Sequence, residues 1–189
     1  MRLPFIALVL LLLPVPAFAH PSLTHHAQDL AAGAAHPFTG LDHLLAMLSV
    51  GLWASQKGGR ALWLWPAAFV AAMIAGGVLG MAGFALPLVE PAIAASLIVL
   101  GLMIASAVSL SPVWGAGLIA LFGIFHGNAH GLEAGGAAAG YAVGFTLATV
   151  SLHALGLALG WSAARARARP ALRLAAGVIA LTGAALFFL

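Results

Sequence analysis

Cysteine is absent from the 189 residues, which excludes disulfides, zinc-thiolate centres and thiol catalysis, and removes the thiolates that would favour Cu(I). Charge is scarce as well: Asp, Glu, Lys and Arg make up 6% of the chain, against about 25% in a soluble domain. Neither a P-loop nor a G-x-S-x-G string is present, so neither nucleotide hydrolysis nor serine hydrolysis can be assigned, and the chain is not expected to be an enzyme. What is present is hydrocarbon. With 63% hydrophobic residues and a mean hydropathy of +1.13, the surface cannot be solvated by water, which places the chain in a lipid bilayer. The pI of 10.7 comes from seven basic and four acidic side chains, too few for a nucleic-acid surface, so no nucleic acid is expected as a partner.

The N-terminus reads Arg2, an apolar run from Phe5 to Leu13, Pro14 and Pro16, then Ala17-Phe18-Ala19 before His20. That order predicts a signal peptide over 1–19, cleaved after Ala19, and leaves residue 20 outside. Residues 20–36 then form an exported tail whose His20, His25, His26 and Asp29 make a loose chelating patch. From 37 to 189 the chain divides into six apolar lengths, near 38–56, 62–85, 90–109, 113–133, 137–160 and 171–189, each close to the ~20 residues that cross a bilayer core. The expected fold is all-α: a polytopic six-helix bundle with both termini outside.

Charge placement agrees with that topology. Lys57 and Arg60 fall in the first inward loop, and Arg165, Arg167, Arg169 and Arg173 in or beside the third, so every basic residue after the signal peptide is inside, as the positive-inside rule requires. Asp29, Asp42, Glu90 and Glu133 all fall toward the outside. Acidic residues contribute little to topology, so their placement points to function. Glycines recur four apart at Gly76/Gly80, Gly123/Gly127/Gly131, Gly136/Gly140/Gly144 and Gly156/Gly160, which lets helices approach closely. Spans 4 and 5 carry the densest stripes and are expected at the tight centre. Trp53, Trp63, Trp65 and Trp161 read as interfacial anchors.

Two polar strings interrupt the apolar lengths. The first, His36-Pro37-Phe38-Thr39-Gly40-Leu41-Asp42-His43-Leu44-Leu45-Ala46-Met47, opens span 1. Pro37 suits a first helical turn, so His36, Gly40, His43 and Met47 should share one stripe, with Asp42 on the adjacent face. The second, Phe125-His126-Gly127-Asn128-Ala129-His130-Gly131-Leu132-Glu133, sets His126, His130 and Glu133 at i, i+4 and i+7 on one face of span 4. Paired histidines at that spacing can chelate one metal, and a carboxylate can complete the site. Each buried ionisable group costs about 2.5–3.5 kcal/mol by insertion scales, so the cluster must face a cavity, an ion or an interhelical hydrogen-bonding network. Both strings lie at similar depth. Glu90 begins span 3 at the same level, as an entrance group or a helix cap. His153, deeper in span 5 near Thr146, Thr149 and Ser151, either marks an inward path or bonds within the core. Axial haem ligation by His43, His126, His130 and His153 fits less well, because histidines grouped with carboxylates suit ion transfer better. Imidazole and carboxylate without thiolate suit Ni(II), Co(II) or Zn(II).

HPFTGLDHLLAM and FHGNAHGLE, with the signal peptide and six spans, resemble the HupE/UreJ family of nickel permeases and hydrogenase or urease accessory proteins, over essentially the whole chain. The resemblance implies import of Ni(II) across the bacterial inner membrane, with Co(II) as the alternative cargo, and no permanent cofactor. It carries a functional role to His36, Asp42, His43, His130 and Glu133, with His126 in the same string. The implied partners are the metal ion, the bilayer and the hydrogenase or urease maturation route; an ion path within one bundle and one between subunits of a homo-oligomer both stay open. A non-transporting metal sensor or accessory protein is the rival function.

Overall fold

The computed structural model describes residues 30–134 and 139–188. The expected signal peptide and the tail residues His20, His25, His26 and Asp29 lie outside this range, as does Gly136. Among the described residues all regular structure is helical: α1 (Leu30–Ala35), a 3-10 turn (His36–Phe38), α2 (Leu41–Lys57), α3 (Ala61–Met81), α4 (Val89–Ala105), α5 (Pro112–Ala134), α6 (Ala139–Arg165) and α7 (Arg169–Phe187). Helices α2 to α7 overlie the six apolar lengths. Three of them, α3, α6 and α7, are long and apolar enough to cross a membrane; α4 is apolar but shorter, at 17 residues. The polar string in α5 dilutes its apolar content, and α2 is both short, at 17 residues, and interrupted by Asp42, His43 and Gln56. The outer surface is hydrocarbon: Trp114 is 77% exposed and Leu181 71% exposed, as expected of a membrane protein whose solvent is lipid.

Backbone contact at glycine sets the packing. A Cβ on Gly123, Gly127 or Gly131 would collide with the carbonyls of Phe69, Met73 and Gly77, so α5 lies directly along α3, the most extensive helix contact among the described residues. Gly76 and Gly80 return the contact against Ile124 and Asn128. The same logic joins α2 to α6, where Gly156 meets the Leu48 carbonyl and Gly51 meets that of His153. Spans 4 and 5, expected at the tight centre of the bundle, do not pack closely on each other among the described residues. Each spends its glycines on a different neighbour, α5 on α3 and α6 on α2 and α1.

The tryptophans also differ from expectation. Trp63 and Trp161 are exposed, but Trp53 and Trp65 are fully buried with ring centroids 4.3 Å apart. Their indole N–H groups donate to the carbonyls of Val108 and Pro112, at 2.9 and 2.8 Å. Gln56 donates to the Ile104 carbonyl at 3.2 Å, and Lys57 Nζ to Ser109 Oγ at 2.8 Å. These bonds tie the α4–α5 loop across one end of the bundle. The buried indoles reach backbone acceptors that a membrane interface would have replaced with water and headgroups.

Candidate metal centre

At the opposite end, the HPFTGLDH string does not form one continuous helix. The 3-10 turn holds His36–Phe38, closed by Thr39, whose N–H and Oγ1 both donate to the His36 carbonyl at 2.9 and 2.7 Å. Gly40 is then extended (ψ 117°) and α2 starts at Leu41. His36 and His43 therefore lie on separate elements and meet because the chain turns a corner between them. A Cβ at Gly40 would stand 2.9 Å from Asp42 Oδ1 and 3.1 Å from His43 Nδ1. Glycine leaves the room in which Asp42 folds back: its Oδ1 accepts from the His43 backbone N–H at 2.8 Å and pairs with His43 Nδ1 at 2.7 Å. An ionised carboxylate only accepts, so His43 Nδ1 carries a proton, and in the neutral imidazole the lone pair is on Nε2. Asp42 thus orients an imidazole, as second partners of metal-binding histidines do.

The α5 string meets these groups. Glu133 Oε2 lies 3.4 Å from His36 Nε2 and 3.4 Å from His130 Nδ1. One ligand atom from each of His36, His130 and Glu133 can be chosen so that all lie within 4.8 Å of one another, a spacing one divalent ion can span. His130 is 4.6 Å from His36 and 4.3 Å from His43 between ring centroids, and His43 is 4.8 Å from His126. Four imidazoles thus descend from the half-buried His36 to the fully buried His126.

The hydrogen-bond inventory separates a ligand set from a structural network. Buried His43 Nε2, His126 Nδ1 and His130 Nε2 have no hydrogen-bond partner, while His130 Nδ1 faces the Glu133 carboxylate at 3.4 Å. Buried polar atoms left without partners cost about 1–3 kcal/mol each, and here they converge. The tautomer of His126 follows from Ser96, whose hydroxyl donates to the Ile93 carbonyl at 2.6 Å and so accepts from His126 Nε2 at 3.1 Å. The lone pair of His126 is therefore on Nδ1, the atom left unpartnered.

Glu90 is exposed in the first turn of α4 and stands outside the three-residue group. His153 is buried one level deeper, against Phe69. Sequence reasoning missed several neighbours. Ser96 orients His126. Phe145 packs on His130 at 4.2 Å, and Tyr141 on His36 at 5.6 Å. Asn128, fully buried, accepts from Leu86 N–H at 2.9 Å and donates to the Phe84 carbonyl at 2.8 Å, holding the α3–α4 loop near the cluster. Its place between two histidines was the available signal, since an amide in an apolar helix needs partners of its own.

Residues 8–186 match the family described as HupE / UreJ protein. This chain belongs to the HupE/UreJ family. It is 44% identical over 188 residues to Protein HupE of Rhizobium leguminosarum bv. viciae, with 98% of each chain covered. No solved structure matches it. The two polar strings of this HupE/UreJ chain are thus the parts that its fold gathers at one end.

Proposed function

We propose that this HupE/UreJ chain imports Ni(II), entering through His36, His130 and Glu133 and passing to His43 and His126. The observation that carries the reading is the convergence of His36, His130 and Glu133 beside buried imidazole nitrogens that lack hydrogen-bond partners. Imidazole and carboxylate donors suit Ni(II), which the Irving-Williams order favours over Co(II). In this reading all six of α2 to α7 cross the inner membrane, a signal peptide directs the N-terminus outward, and the histidine end faces the periplasm. The basic residues 57, 60, 165, 167, 169 and 173 then lie inside, as topology demands. The exported histidines and Glu90 attract the ion, and Asp42 acts by orienting His43. The membrane potential supplies the drive: at about 100 mV, inside negative, two charges gain about 4.6 kcal/mol, roughly a thousandfold accumulation. The nickel supplies an enzyme such as hydrogenase or urease.

The test is uptake of radioactive nickel, cobalt and zinc by cells expressing the protein, followed by flux into liposomes. Nickel should accumulate, and His130→Ala combined with Asp42→Ala should abolish it. Unchanged uptake in the double variant overturns the site. Binding without flux in liposomes identifies a sensor or accessory protein instead.

A further inference from the structure

The unpartnered atoms do not stop at His126. Met47 follows His43 by one turn of α2, and Met73 follows Phe69 by one turn of α3. Both are buried. Their sulfurs converge on Thr149 Oγ1 of α6, at 3.4 and 3.6 Å. The Thr149 hydroxyl has one proton for three acceptors, the Phe145 carbonyl at 2.9 Å and the two sulfurs. Whichever acceptor takes it, at least one sulfur faces the oxygen with lone pairs on both. One turn on, on the same face of α6, His153 is 1% exposed, and neither of its ring nitrogens has a hydrogen-bond partner. The Phe69 ring links the two levels, with its centroid 5.5 Å from that of His126 and 5.2 Å from that of His153.

We infer that Met47, Met73, Thr149 and His153 form a second, inner site for a divalent transition-metal ion in transit, separate from the histidine–carboxylate cluster and different in donor type. A cation resolves what packing alone leaves opposed: electron-rich atoms in contact and an imidazole with nothing to bond. The donors are two thioethers, a hydroxyl and an imidazole, and none is charged. Such a set holds an ion less firmly than the outer site with its Glu133 carboxylate. Conduction needs that order, because an ion must bind well enough to enter and weakly enough to leave. The thioethers also make the inner site softer than the outer one, so the ion exchanges hard donors for soft ones on its way through the bundle.

The direction of transit rests on the import reading, but the existence of the site does not, and the experiment separates the two. The variant is Met47→Leu with Met73→Leu, which keeps side-chain volume and is confirmed as folded by its unfolding temperature. X-ray absorption at the nickel edge, on the purified full chain loaded with excess Ni(II), should show sulfur scattering in the wild type and only nitrogen and oxygen in the double variant. The chain has no cysteine and five methionines, so any sulfur seen is thioether. In liposomes the double variant and His153→Gln should each lower the maximal rate of nickel flux about tenfold or more, with the half-saturating concentration unchanged because the entrance is intact. Absence of sulfur at every loading overturns the site. Wild-type flux in both variants overturns its role in transit. If wild-type liposomes take up no nickel, the import reading fails, and the sulfur signal still decides whether the inner site exists.

Discussion

The two ends of the helical bundle treat buried polar atoms in opposite ways. Where Trp53 and Trp65 meet the α4–α5 loop, each buried indole N–H finds a carbonyl on a neighbouring segment. Where His36, His43, His126 and His130 meet Glu133, imidazole nitrogens are buried without hydrogen bonds. Both ends bury polar atoms; at the first they are paired within the chain, and at the second several are not. The difference teaches where to look for a ligand: satisfied polar groups hold the fold together, and unsatisfied ones that converge await something from outside.

The comparison breaks if substitutions at the two ends have the same consequences. The largest effect is expected at the tryptophan end. Trp65→Ala should cost about 3–5 kcal/mol by emptying a packed core position and removing its bond to the Pro112 carbonyl, seen as a lower unfolding temperature. Nickel affinity of the protein that remains folded should be unchanged. Equal loss of affinity would mean that the two ends are coupled.

At the histidine end the order should reverse. Asp42→Asn keeps the shape of the side chain but replaces the carboxylate that fixes the His43 tautomer, so nickel affinity should fall about 10–100-fold, with little change in unfolding temperature. Titration calorimetry on the purified protein measures it. Nickel binding should also weaken as pH falls, because the lone pairs that ligate the metal are those a proton takes; a flat acid limb would point to carboxylate-only binding. The smallest effect is expected for Lys57→Ala. It removes one exposed bond to Ser109 and should change stability by no more than about 0.5 kcal/mol.

How much of this was legible in the sequence follows from what each residue depends on. The two polar strings stood out because ionisable groups are rare in this chain, and helical periodicity alone aligned His126, His130 and Glu133. The corner at Thr39–Gly40 was not legible. Pro37 fits a first helical turn, and only the close approach of Asp42 and His43 to Gly40 shows why the helix begins after it. That Asn128 needs partners was legible, but which partners Ser96 and Asn128 take was not, because each acts on a residue about 30 or more positions away. Trp53 and Trp65 misled, since an aromatic beside a basic loop reads as an interface anchor until the loop carbonyls are in place.

The most direct test of the central claim is the unfolding temperature with and without Ni(II). At a free concentration about 100 times its dissociation constant, an ion that binds only the folded state adds about 2.7 kcal/mol. The wild type and Trp65→Phe should gain this increment, and His130→Ala should gain almost none. An equal nickel-dependent increment in His130→Ala would show that the metal binds elsewhere, and that the unpartnered imidazoles of α5 are not its ligands.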